Sequence, residues 1–193
     1  DTAGWPDTSE TVREIFNEMI CKLERQGVEI VSRLEDPELE SYEQDMLELS
    51  KVIEIVLAYE YRWPLMMYAD RCPELLGDRV LNRATAAAEI TPEQYEEALE
   101  WSISARQRHQ ALSKKYDAML TLNGTGAAPE GMAIGNAIYG EQSSVLGVPT
   151  LNAPLLAHDD MPLGIQVLGY FRRDYDLIAI GHWMIHAILK SEG

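Results

Sequence analysis

Apolar residues at three- and four-residue spacing open the chain. Val12, Ile15, Phe16, Met19, Ile20 and Leu23 fall on one face of a helix predicted over residues 8–26, with Arg13, Glu14, Asn17 and Glu18 on the other. Asp7, Thr8 or Ser9 supplies its cap, and Gly27 its left-handed stop. The period then switches to two over Val28-Glu-Ile-Val-Ser32, which predicts a short strand. From Pro37 to about Tyr61 an acidic stretch places Met46, Leu49, Val52, Ile53, Val56 and Leu57 on one helical face. Trp63-Pro64 is expected to break it, since proline lacks an amide and disfavours a helical predecessor. Leu65 to Tyr68 adds a turn at most.

A short alanine-rich helix is predicted over residues 78–89. A stronger one starts at Thr91-Pro92-Glu93, with a threonine cap and proline at the first helical position, and runs to about Lys115. Asp117 to Leu122 reads as a buried strand, and Asn123 to Pro129 as a glycine-rich loop. A helix within residues 133–146 ends at Gly147. Strands follow at Val148–Asn152 and Gly164–Leu168, separated by a turn over residues 158–162. Pro149 and Pro154 put the first of these at an edge or a strand end. A helix over residues 173–190 closes the chain, with Leu177, Ile180, Gly181, Met184 and Ile188 facing inward. The pattern predicts an α/β fold with a helix-rich first half. With no repeat, low-complexity segment or long linker, it is expected to form a single unit.

The 193 residues are 46% hydrophobic, enough for a sizeable core. No apolar run approaches the roughly 20 residues of a membrane span. Net charge is −16, with 24 acidic and 9 basic residues in the first hundred positions and 8 and 7 in the rest. Such a surface repels phosphate backbones, so neither nucleic acid nor membrane is an expected partner. Cys21 and Cys72 lack metal or scaffold spacing and read as thiols in a reducing cytoplasm. His109, His158, His182 and His186 are scattered and suggest no ligand cluster. The first residues, Asp1-Thr-Ala-Gly-Trp-Pro, read as an internal point in a longer protein.

Three segments, taken in order, carry a resemblance. Tyr116-Asp-Ala-Met-Leu-Thr-Leu122 follows a long helix, Gly147-Val-Pro-Thr-Leu-Asn-Ala-Pro154 ends another, and Met161-Pro-Leu-Gly-Ile-Gln-Val-Leu-Gly169 precedes the last. In this order and spacing they resemble the C-terminal portion of the amidase signature hydrolases, tightly over residues 116–190 and more loosely over 8–115. The resemblance implies a few strands of a larger mixed sheet flanked by helices. It also implies hydrolysis of a small-molecule amide by the complete protein, without cofactor or metal. Pairing with the missing core, or homodimerisation, is the expected assembly. Leu122 stands where the family has proline, and Asn123-Gly-Thr-Gly126 is unusual after it, which bears on substrate class.

The family's reaction needs a nucleophilic serine, a second serine, a lysine and oxyanion donors meeting at one carbon. That glycine- and serine-rich core is not in this sequence. The adjacent pair Ser143-Ser144 has neither a glycine-rich loop nor a nearby lysine and reads as ordinary helix-end polarity, so no catalytic residue is assigned. By analogy with the family, Asn136, Tyr139 and Gln142 are the substrate-binding candidates, surface or packing roles being the alternative. Tyr59, Tyr61, Trp63 and Tyr68 read as helix-packing core in preference to a ligand groove. His158-Asp159-Asp160 reads as turn chemistry, because three consecutive residues do not readily converge on one ion. Two further readings are a non-catalytic assembly module derived from an amidase and a fragment of an amidotransferase A-type subunit.

Overall fold

The computed structural model describes residues 2–131 and 135–191, with side chains up to residue 189. Its elements are α1 (Glu10–Arg25), α2 (Pro37–Asp45), α3 (Leu49–Arg71), α4 (Asp78–Ala88), α5 (Pro92–Leu112), β1 (Met119–Leu122), α6 (Ile138–Leu146), β2 (Thr150–His158), β3 (Met161–Leu168) and α7 (Asp174–Ser191). Two compact units emerge. One combines Asp1–Leu47 with Ala105–Gly193, and the other is Glu48–Ser104, so the division falls inside α5.

The first unit holds the sheet, ordered β1-β3-β2 and antiparallel on both sides of β3. The mixed pairing implied for the larger sheet is not present in these three strands. β3 is buried from Leu163 to Leu168, as a central strand covered on both faces should be. Leu163, Ile165 and Val167 share one core with Val12, Phe16, Met19 and Leu23 of α1 and Leu177, Met184 and Ile188 of α7. Gly181 lets α7 lie close on β2, since a Cβ there would meet Leu151 at 2.5 Å. β2 occupies an edge, as its prolines require, and its pairing with β3 slips between Ala153 and Leu156, around Pro154. The β2–β3 hairpin turns on Asp159 and Asp160, both at positive φ, which suits the right-handed strand twist.

Caps follow the sequence. Ser9 accepts from the Val12 amide, and Asp36 accepts from the Glu38 amide at 2.8 Å ahead of Pro37. Thr91 and Gln94 bond each other's amides in a capping box. α6 ends on Gly147 at φ +60°.

Two expectations fail. Val28–Ser32 belongs to no sheet, because alternation makes a strand only where a neighbour pairs with it, and the described residues offer none. α3 runs through Pro64 to Arg71 and packs against α4, so the proline does not end the helix. The acidic stretch instead breaks earlier, at a 3-10 turn over Met46–Glu48.

In the second unit, Tyr59 stacks on Tyr95 with centroids 4.1 Å apart, and Arg62 lies over the Tyr59 ring. The other aromatics do not join a core: Trp63 is 82% exposed, and Tyr61 and Tyr68 about half so.

Candidate functional site

The sheet-bearing unit contains a cavity of about 890 Å³, lined by Phe16, Ile20, residues 27–33, residues 115–121, Glu43 and Trp183 among others. Two stretches of its wall carry peptide groups without backbone partners among the described residues. β1 is an edge strand, and the Asn123 amide donates to the Gly164 carbonyl in register with the Thr121↔Gln166 pair. Alternation along an antiparallel ladder therefore turns the peptide groups of Ala118, Leu120 and Leu122 away from β3. In the facing stretch the amides of Glu29, Ile30 and Val31 have no backbone acceptor among the described residues. The cavity is thus bordered by strand β1 and by segment 28–32, each with peptide groups that have no backbone partner among the described residues.

Glu43 adds a charge problem. α2 buries Leu39, Tyr42 and Glu43 on one side, and the Glu43 Oε2 has no hydrogen-bond partner among the described residues. Arg33 is the neighbouring cation, but its guanidinium is held by Glu40 through Nε to Oε2 at 2.5 Å and Nη2 to Oε1 at 3.0 Å. That pairing pulls Glu40 down to about 2. Burial, only partly offset by Arg33, pushes the Glu43 carboxyl up to about 7.

Behind the cavity wall runs a closed chain of buried hydrogen bonds. The Gly169 carbonyl can only accept, so His109 Nε2, 2.9 Å away, carries the proton. His109 Nδ1 then accepts from the Tyr42 hydroxyl at 3.1 Å, and the Tyr42 oxygen accepts from Gln142 Nε2 at 2.7 Å. Burial depresses the His109 pKa, which keeps the ring neutral and the chain intact at pH 7. These bonds tie α2, α5, α6 and the exit of β3 together.

The three substrate-binding candidates are not gathered around a common point. Asn136 is exposed; its Nδ2 donates to Asp7 at 3.2 Å and its Oδ1 accepts from the Ile138 amide, opening α6. Tyr139 is 1% exposed, its hydroxyl 2.7 Å from Thr8 Oγ1 and its carbonyl bonded by Gln166 Nε2. Gln142 lines the cavity but spends its amide nitrogen on Tyr42. Ser143 and Ser144 both donate to the Gly140 carbonyl, and neither hydroxyl has a lysine or histidine partner among the described residues. Asn123, in the unusual loop, bridges β1 to β3 through its Oδ1, which accepts from the Gly164 amide at 3.1 Å.

Sequence reading missed Tyr42, Glu43 and His109, whose only signal was a polar residue at a core-facing helical position. It also treated the histidines as scattered. That is corrected for one pair, since helical spacing brings His182 Nε2 and His186 Nε2 to 3.1 Å. Among the described residues no three or more of His, Cys, Asp and Glu gather as a metal cluster, and no helix is long and apolar enough to cross a membrane.

No family model and no curated protein matches the sequence. Solved structures do. An amidase crystal structure superposes with a TM-score of 0.79 at 22% identity, covering 95% of this chain and 43% of that one. A structure described as a vestigial protein complex that reveals the origins of an s-triazine catabolic enzyme gives 0.75 at 15% identity, covering 100% and 42%. A bacterial aryl acylamidase of the amidase signature family gives 0.59 at 15%, covering 72% and 34%. This chain therefore has the fold of a part of these proteins, and spans about two fifths of the length of the first and second of them.

Proposed function

We propose that this chain is the C-terminal part of a cytoplasmic amidase of the amidase signature type, that it completes the sheet and helps shape the pocket for a small-molecule amide, and that the acylating serine, second serine and lysine lie in another part of the complete protein. The observation that carries this reading is the unfinished sheet inside a familiar fold. β1 and segment 28–32 present unused edges to one cavity, in a chain that spans about two fifths of the amidase it superposes on. A strand from the remaining part would satisfy both edges, and a donor on it would satisfy Glu43. Tyr139 and Gln142 then act by holding α6 in place, and Asn136, ahead of α6, is the one of the three candidates that is exposed, its amide engaged by Asp7 and the Ile138 N–H.

A second reading, a non-catalytic assembly module, draws on the same open edges, which would equally accept a strand from another protein. The reading frame ahead of Asp1 separates the two. A glycine- and serine-rich segment carrying two serines and a lysine supports the amidase. A stop codon or an unrelated domain contradicts it and favours the module.

A further inference from the structure

α7 presents two faces of different character. Leu177, Gly181, Met184 and Ile188 are buried toward the sheet, whereas His182 and His186 fall on the exposed opposite side. Residues four apart on a helix lie one above the other. Here the two imidazoles meet edge to face, with centroids 4.4 Å apart and Nε2 atoms 3.1 Å apart. We propose that His182 and His186 form a binding site for a borderline divalent transition-metal ion of the Zn²⁺ or Ni²⁺ class, its remaining coordination positions open to solvent.

The geometry carries this. With Zn–N bonds of about 2.0–2.1 Å, two nitrogens on a tetrahedral ion stand about 3.3–3.4 Å apart. At the right angle of a square-planar site the separation is about 2.8–3.0 Å. The observed 3.1 Å lies between them, so the backbone need not move to seat an ion. Two imidazole Nε2 atoms at this distance cannot both be acceptors, so in the free protein one bears hydrogen and the other a lone pair. Moving that hydrogen to Nδ1 leaves two lone pairs directed at the space between the rings, and a small χ2 rotation aims both at one ion. Imidazole selects Zn²⁺, Ni²⁺ and Cu²⁺ over Mg²⁺ and Ca²⁺, which prefer oxygen. The net charge of −16 raises the local concentration of any cation.

Isothermal titration of the full chain with ZnCl₂, NiCl₂ and, as control, MgCl₂ tests the site. About one ion per chain is expected for zinc and nickel, with no binding of magnesium. One ion per two chains also supports the pair as ligands, with a second copy supplying the other positions. His182→Ala and His186→Ala should each weaken binding about a hundredfold or more, at or beyond the upper end of the cost of losing a supporting group. Both side chains are exposed, so unchanged circular dichroism is expected of the variants. NMR of the imidazole nitrogens gives an independent readout, in which zinc shifts the Nε2 signals of these two rings and leaves buried His109 in place. Affinity weaker than about 1 mM, affinity unchanged in either variant, or zinc shifts confined to other histidines would each overturn the proposal.

Discussion

Glu43 is the residue whose chemistry departs furthest from its surroundings. Its carboxyl sits at about 7 in the folded chain against an ordinary value of 4.5, so the folded state binds the proton more tightly than the unfolded state. The stability this brings is fully present below about pH 4.5 and is lost as pH rises through about 7. At about 1.4 kcal/mol per unit, the full loss is roughly 3 kcal/mol. Glu43→Gln keeps the size and removes the charge. Its urea midpoint should exceed that of the parent chain at pH 8 and match it at pH 4.5. An advantage of equal size at both values would show that ionisation is not the cause. His109 has the opposite sign, because its folded pKa is depressed. Its contribution is present above its unfolded pKa and lost as pH falls below it.

Among the elements, α3 shows where local rules yield to packing. Pro64 removes one amide from the helix ladder and still lies well inside Leu49–Arg71. Pro64→Ala should therefore stabilise this helix by about 1–3 kcal/mol, read as a higher thermal midpoint and slower amide exchange around residue 64. A lower midpoint would mean that the proline has a packing role of its own. Helix faces and most caps were legible in the sequence because each is set within four residues: Ser9, Thr91 and Gly147 stand where their chemistry predicts. The 28–32 strand was not, because alternation fixes which faces a segment offers and never whether a neighbour exists to pair with it. The buried Gln142–Tyr42–His109 chain was illegible for a similar reason. Its members are 33 to 100 residues apart in sequence and meet only through the fold.

At the scale of the whole molecule, the proposed reading is that this chain supplies scaffold and another part of the protein supplies the chemistry. The fold of part of an amidase is present, its sheet ends at β1 beside a cavity, and the adjacent serines are turned onto their own helix. The order of three short segments made that likeness of fold visible in sequence, whereas the placement of Tyr139 and Gln142 inside the unit needed the coordinates. An activated serine reacts with a fluorophosphonate, whereas a serine lacking a base and oxyanion donors does not. Intact-mass measurement of the purified chain after such treatment is the most direct test. The account predicts an unmodified mass, and a single adduct on Ser143 or Ser144 would contradict it.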